Sequence, residues 1–585
     1  MNGAEYIAKF LENQNSKNIF VVTGGACAFI IDAIARNSSL NYYPFHHEQA
    51  AAMAADSIWK IDKKVGVSVV TSGPGATNLI TGIACSFFDS IPTLHITGQV
   101  NQIEKKIYDG AKVRQAGFQE TNIVDMVKPI TKYAVQVTTG DELKKELAKA
   151  YSIALSGRMG PVLIDVPMDI QQIDVGDEII EPTISYEDNS LPEIDELRES
   201  ITKHFHMAKR PLVLFGAGVG LSDASDIVLQ FINDNSLPFV TSWNGSGFIN
   251  HDEKNYYGSI GVYGNRGANF LLQSSDKILV VGSRLDNRQR GNVKKFASSA
   301  NLLVLDIDQG ELDKHKNQSN FKCKRFDFRN SKDLFVDLKL ELAETSEWNK
   351  YCKDIKEKYF GYWPSSSSIK YDSLSPYDVV KDINSKIHDD AIVTVDDGAN
   401  LCWVYQAFHR KNHTIYTAGG NSPMGYSFPA AIGAAIHQKE RQVICFTGDG
   451  SIQMNIQDLQ TMSHLNLPIK LFILNNFGYG IIKQFQDTWF EGRYEATGNG
   501  YSQPDFEKIT HAYDLQYRRI ESVSDILKSD IESSDGIIFD VILHPNTLIE
   551  PKIDSGNPLH KMFPYLNLDK DCFEYKYLEN INDEK

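Results

Sequence analysis

The chain has 585 residues, 42% of them hydrophobic and 23% charged, an ordinary mixture for a folded globular protein that excludes disordered, collagenous and fibrous classes. The formal net charge of −16 argues against a nucleic-acid surface, because phosphate binding needs a basic field, yet it leaves room for small, locally positive pockets. At about 100–200 residues per domain, the length predicts roughly three to five domains.

The first unit spans residues 1–175. Short apolar runs at Asn18–Val22, 65–71 and 92–96 alternate with helical patterns at 26–35 and 48–59. Such alternation predicts a parallel sheet covered on both faces. The acidic, proline-containing stretch 176–192 reads as a linker. The second unit, 191–345, opens with a strand at 210–215, followed by Gly216-Ala217-Gly218-Val219-Gly220. The third glycine of a GxGxxG fingerprint falls on Leu221, so this is a weak dinucleotide signal. A charged helix and the serine run 365–368 precede the third unit, 370–546, with strands at 391–395, 443–446, 469–474 and 536–543. Residues 547–585 read as a tail. The fold class is therefore α/β, with three consecutive doubly wound domains and mainly parallel sheets.

Seven cysteines are scattered without a CxxC pair, which predicts reduced, mostly buried thiols. No basic segment followed by an apolar stretch opens the chain, and no apolar run reaches the ~18 residues of a membrane span. A cytoplasmic protein without membrane or nucleic-acid partners is expected.

The strongest constellation lies in the third unit. One strand ends in Gly448-Asp449-Gly450-Ser451, and the next ends in Asn475-Asn476-Phe477-Gly478. A helix at 456–465 fits between them. A right-handed crossover puts both strand ends on one edge, so Asp449 and Asn476 converge where open α/β sheets bind ligands. A carboxylate, an amide oxygen and backbone carbonyls are hard donors that suit Mg²⁺. Gly448 and Gly450 allow close approach of a diphosphate to backbone amides. Alone, each residue also reads as a turn or cap residue.

A GDG followed at this distance by NN resembles the diphosphate–Mg²⁺ motif of the thiamine-diphosphate-dependent enzymes. The resemblance implies Asp449, Asn476 and the Gly478 carbonyl as metal ligands, with Gly448, Gly450 and Ser451 near the diphosphate. It implies a role for Glu48, which otherwise reads as a first-turn acid facing a helix dipole. In that family a glutamate at this place hydrogen-bonds the aminopyrimidine ring and promotes its imino tautomer. His46 and His47 precede it, but the His-His pair of simple pyruvate decarboxylases lies C-terminal of their glutamate, so direct catalysis is not assigned to them.

The stretch Phe118-Gln119-Glu120-Thr121 resembles the acetolactate synthases, where the Phe and Gln line the site. An aromatic wall and a neutral hydrogen bonder offer no proton relay, so they suit carboligation better than simple decarboxylation. Ser72-Gly73-Pro74-Gly75-Ala76-Thr77-Asn78 is similar to a turn near the cofactor, which brings in Gly73 and Asn78. Gly419-Gly420-Asn421-Ser422-Pro423-Met424-Gly425 is similar to the segment whose methionine wedges beneath the bent cofactor. By that match Met424 holds the bend and the Ser422 carbonyl receives the 4′-amino group, although Ser-Pro departs from the usual Gly-Thr. In the second unit, Gly282-Ser283-Arg284-Leu285-Asp286 and Asp306-Ile307-Asp308 resemble FAD-binding stretches. Arg284 suits a diphosphate and Asp286 and Asp306 suit a ribose, with ADP or an empty domain as alternatives.

The resemblance spans nearly the whole chain. It implies a carboligase that decarboxylates pyruvate and transfers the two-carbon unit to a second 2-oxo acid, giving acetolactate. It also implies thiamine diphosphate, Mg²⁺ and FAD, a homodimer or homotetramer with sites shared between chains, and a regulatory subunit in some members. Two departures concern the acceptor. Phe485 stands where the family carries a tryptophan, and the polar stretch between Gln99 and Phe118 is longer than usual. They keep open a ketosugar acceptor, and a decarboxylase or oxidase is a further alternative.

Overall fold

The computed structural model describes residues 1–106, 113–184, 191–360, 373–566 and 572–578. The serine run 365–368 and the centre of the long polar stretch, with Tyr108, Asp109 and Lys112, lie outside the described residues.

Three six-stranded sheets follow one another along the chain. The first holds β1 (Asn18–Val22), β2 (Asn41–Pro44), β3 (Gly66–Val70), β4 (Thr93–Gln99), β5 (Tyr133–Gln136) and β6 (Val162–Pro167), in the order β2-β1-β3-β4-β6-β5. The second holds β7 (Pro211–Phe215), β8 (Phe239–Thr241), β9 (Tyr256–Ser259), β10 (Lys277–Val281), β11 (Asn301–Asp306) and β12 (Phe321–Arg325), in the order β12-β11-β10-β7-β8-β9. The third holds β13 (Ile392–Val395), β14 (Thr414–Tyr416), β15 (Val443–Gly448), β16 (Lys470–Asn475), β17 (Gln516–Ile520) and β18 (Ile537–Ile542), in the order β14-β13-β15-β16-β18-β17. Pairing within the three sheets is parallel. The expected class of three α/β domains therefore holds. The outer two sheets share one strand order, and the central sheet has the order of dinucleotide-binding folds.

In an open α/β sheet, ligands bind beyond the carboxyl ends of the strands where the order reverses. Here those places lie between β1 and β3, between β7 and β10, and between β13 and β15. They are followed respectively by the Ser72–Gly73 turn, by Gly216 and Gly282, and by Asp396 and Asp449.

The helix Glu48–Asp62 ties the first unit to the third. It is capped by His47, whose side chain accepts the Gln49 N–H, and it ends at Lys63 in the left-handed region. Ala50 to Ala55 are fully buried because the helix is packed on both sides, against its own sheet and against the helix Ser427–His437. Small residues allow that approach. A Cβ on Gly433 would stand 2.6 Å from the Ala54 carbonyl oxygen.

Two features differ from the sequence reading. The charged helix Ser346–Tyr359 is not a spacer: Trp348, Tyr351, Cys352, Ile355 and Tyr359 are buried in the central core. The tail joins the same core through a short antiparallel pair, Lys552–Ile553 with Met562–Phe563, and through Leu559 and Leu578. Arg266 fastens it by donating to the carbonyls of Met562 (3.1 Å) and Pro564 (2.7 Å). A charged helix face and a late apolar residue carry no local mark of what they pack against. The expected helix 456–465 is also broken into a 3₁₀ turn, Ile456–Asp458, and a helix, Leu459–His464. Asn455 sits outside helical geometry, and its side chain donates to the Gly425 carbonyl at 2.7 Å.

Candidate active site

The strand ends of β15 and β16 bring three oxygens together. The outer atom of the Asn476 amide stands 3.3 Å from Asp449 Oδ1 and 3.0 Å from the Gly478 carbonyl oxygen. With the amide oxygen facing inward, the three are oxygen donors that a cation would bridge; with the amide turned over, its NH₂ donates to both other oxygens. The other carboxylate oxygen of Asp449 is already satisfied by Gly478 N–H at 2.9 Å and the Tyr501 hydroxyl at 2.7 Å. Burial pushes the Asp449 carboxyl up to about 6, against the hydrogen bonds from Tyr501 and Gly478 N–H and the nearby charge of Lys483, which pull it down. The donor set therefore fits Mg²⁺. Among the described residues, no group of three or more His, Cys, Asp or Glu forms an alternative metal site.

Gly448, Gly450 and Ser451 surround this cluster. A side chain on Gly450 would collide with the Tyr479 ring. The Ser451 hydroxyl donates to the Asp397 carbonyl at 3.2 Å. Asp396, directly after β13, is fully buried and organises the neighbouring turn. Its Oδ1 accepts Gly425 N–H at 2.8 Å and Asp397 N–H at 2.9 Å. Its Oδ2 accepts the hydroxyls of Ser427 (2.8 Å) and Thr447 (3.2 Å) and Ser427 N–H (3.3 Å). Burial raises this carboxyl to about 6 as well. The turn it holds carries Ser422 and Met424. Ser422 has φ 54, and its hydroxyl donates to Asp397 Oδ1 at 2.5 Å.

In the first unit Glu48 is 9% exposed at the start of its helix. Its Oε2 accepts from Asn78 Nδ2 at 2.9 Å, and a Cβ on Gly75 would stand 3.4 Å from its Oε1. Gln119, with φ 61, lies against Gly73, where a Cβ would be 2.8 Å from the Gln119 carbonyl. Glu48, Gly73, Asn78 and Gln119 thus form one group. Phe118 is 84% exposed and packs against nothing that would hide it. Gln49 Nε2 donates to Asn455 Oδ1 at 3.3 Å, which connects the Glu48 helix to the Met424–Gly425 turn. A second connection is a buried ion network. Lys60 lies 2.9 Å from Asp56 and 3.1 Å from Asp89, and Asp89 accepts the N–H groups of Gly419 (3.1 Å) and Gly420 (2.8 Å).

Residues 1–126 match the N-terminal binding domain of thiamine pyrophosphate enzymes, 199–321 their central domain and 396–536 their C-terminal binding domain. The chain belongs to the thiamine pyrophosphate enzymes. Acetolactate synthase isozyme 2 large subunit of Escherichia coli is 31% identical over 89% of this chain and 91% of its own length. The acetolactate synthase large subunits of Lactococcus lactis (31%, covering 95% of both chains) and Corynebacterium glutamicum (30%, covering 95% of this chain and 89% of its own) are similar along their length. This chain is thus a thiamine-diphosphate-dependent enzyme of the acetolactate synthase type.

The central domain of this thiamine pyrophosphate enzyme presents a crevice at its switch point, lined by Gly218, Trp243, Arg284, Asp286, Asp306 and Tyr405 among others. Arg284 lies 3.2 Å from Asp286, which also caps the turn Asn287–Arg290. Asp306 is buried and accepts Asp308 N–H at 3.0 Å, and burial pushes it up to about 6. Gly216 and Gly218 have a packing role. They lie so close to the Gly282 carbonyl that a Cβ on either would press on it. No helix among the described residues is long and apolar enough to cross a membrane.

Sequence reasoning missed Asp396, Asp397, Asn455, Lys60 and Asp89, and it missed Lys483 and Tyr501 beside the metal-ligand candidates. Asp396 had a readable signal, an acid directly after an apolar strand and before Asp-Gly, the same pattern that marks Asp449. The others act across domains or from irregular chain and carry no local signature.

Proposed function

We propose that this enzyme decarboxylates pyruvate and joins the remaining two-carbon unit to a second 2-oxo acid, giving acetolactate. The observation that carries the reading is the convergence of Asp449, Asn476 and the Gly478 carbonyl, which offers a cation three oxygen donors when the Asn476 amide oxygen turns inward. Asp449, Asn476 and Gly478 would hold Mg²⁺, and Gly448, Gly450 and Ser451 would border a diphosphate. Thiamine diphosphate, when bound, supplies the nucleophilic carbon and the electron sink for loss of CO₂. Met424 would support the bend of the cofactor, and the Ser422 carbonyl would accept from its amino group. Glu48 would hold the proton that sets the tautomer of the pyrimidine, in a buried place where its hydrogen bond is strengthened. Gln119 and Phe118 would line the substrate side and offer no acid to protonate the product prematurely. The exposure of Phe118 is consistent with a site completed by a second copy of the chain, in a homodimer or homotetramer. Arg284, Asp286 and Asp306 would hold FAD in the central crevice, and a regulatory subunit is part of the proposal.

One observation favours a second acceptor. Phe485 borders an open cleft of about 850 Å³ together with Trp489, Asn287 and Asn292. Glu48, Gln119, Met424 and Asp449 do not line that cleft, so an acceptor larger than pyruvate, such as a ketosugar, would have to enter the site from beside Phe485. The test is incubation with thiamine diphosphate, Mg²⁺ and pyruvate, with products identified by mass spectrometry. Acetolactate supports the first reading, and turnover only with an added ketosugar supports the second. Acetaldehyde as the sole product refutes carboligation. Flavin absorbance in the purified protein tests FAD.

A further inference from the structure

Behind the three converging oxygens stands a second layer that comes from less regular chain. The segment between the helices Gly480–Phe490 and Phe506–Ala512 folds back over the loop Asn475–Gly478. From it, the Tyr501 hydroxyl donates to Asp449 Oδ2 at 2.7 Å. The Tyr501 ring meets that of Tyr479 edge-on at 4.9 Å, and Tyr479 fills the space over Gly450. From the helix, Lys483 reaches back to the same loop. Its ammonium donates to the carbonyls of Phe477 (3.1 Å) and Pro545 (3.4 Å) and lies 2.5 Å from where a Cβ on Gly478 would stand. Lys483 is 8% exposed, and the carboxylate whose charge it feels is that of Asp449.

The loop needs this support. Phe477 has φ 55, a left-handed conformation that costs a bulky residue energy, and Gly478 has φ 154. A left-handed kink persists only when its surroundings over-determine it. Lys483 fixes the carbonyl within the kink, that of Phe477, and Tyr501 fixes the carboxylate across from it. Together with Gly478 N–H, Tyr501 occupies both accepting directions of Asp449 Oδ2, so that Oδ1 alone is turned toward Asn476 and the Gly478 carbonyl.

We propose that Tyr501 and Lys483 are positioning residues that set the affinity of the cation site. They act by holding Asp449 and the Phe477–Gly478 kink in the ligating arrangement. The inference rests on the reading of Asp449, Asn476 and Gly478 as metal ligands. Partners of this outer kind are worth about 10–100-fold in metal affinity.

The test uses the full-length protein, thiamine diphosphate and Mn²⁺ as a paramagnetic probe, with free Mn²⁺ counted by electron paramagnetic resonance. Y501F keeps the ring and removes only the donor, and K483M removes the ammonium while K483R restores a cation. Y501F and K483M are expected to bind Mn²⁺ about 10–100-fold more weakly, with K483R between K483M and the wild type. Turnover at saturating metal should stay within about twofold of the wild type, which a general loss of structure would not allow. D449A should abolish Mn²⁺ binding. If it does and Y501F binds Mn²⁺ like the wild type, the inference is overturned while the metal reading stands. If the wild type binds no Mn²⁺ even with the cofactor, the metal reading fails and takes the inference with it.

Discussion

Asp396 is the residue on which the turn carrying Ser422 and Met424 most depends, and D396N tests that dependence with the smallest change of shape. The amide retains an oxygen for Gly425 N–H and Asp397 N–H. Its NH₂ group then replaces Oδ2, which accepts from two hydroxyls and from Ser427 N–H. The hydroxyls of Ser427 and Thr447 can rotate and become acceptors. The Ser427 N–H cannot, and it faces another donor in a fully buried place. An unsatisfied buried N–H together with the loss of charge-assisted bonds costs about 2–4 kcal/mol. At roughly 2–4 °C per kcal/mol for a unit of this size, scanning calorimetry should find the C-terminal transition about 5–15 °C lower. Gly425 N–H keeps its acceptor and the loss falls on Ser427 N–H two residues on, so thiamine diphosphate affinity should drop by at most about tenfold, at about 1.4 kcal/mol per factor of ten. A melting shift below about 2 °C with unchanged cofactor affinity would refute the reasoning.

Three further outcomes follow from the geometry. E48Q leaves an oxygen for Asn78, so the fold should survive, while turnover should fall about 10²–10⁴-fold; near-normal turnover contradicts the role given to Glu48. His95 is fully buried between Ser68 and Thr93, and burial lowers it to about 3. Between about pH 6.5 and 3 the unfolded chain binds the proton that the folded chain refuses, so stability falls as pH falls, by about 2 kcal/mol at pH 5. H95Q should flatten that slope in pH-dependent thermal melts, and an unchanged slope counts against it. At the interdomain helix crossing, G433A places a methyl against the Ala54 carbonyl and Ser57, which should cost about 1–3 kcal/mol in thermal unfolding; a neutral result means the two helices separate easily.

Much of the candidate site was legible because its residues sit at strand ends. An apolar strand followed by Gly-Asp-Gly-Ser or Asn-Asn declares both the sheet and the edge where ligands bind, since a parallel sheet leaves its carboxyl ends open. Glu48 was legible only beside that motif, because a first-turn acid has a complete local explanation in the helix dipole. The Gly216–Gly220 run read as a weak dinucleotide signal, and its first two glycines admit the neighbouring Gly282 loop. The helix Ser346–Tyr359 and the hairpin after Lys552 were unreadable as core, since nothing in a charged helix or a proline-containing tail says which surface they cover.

By itself, the sequence determined three α/β units, their order, and the placing of Asp449 and Asn476 at neighbouring strand ends, because hydrophobic periodicity and strand-end motifs are local properties. Only the tertiary structure decided that Asp396 anchors the Met424 turn, that Lys60 and Asp89 tie that turn to the first unit, and that Tyr501 and Lys483 stand behind the metal-ligand candidates. Each of those is a contact between residues whose own neighbourhoods are ordinary, and such contacts come into existence only when packing brings distant backbone groups within hydrogen-bond reach.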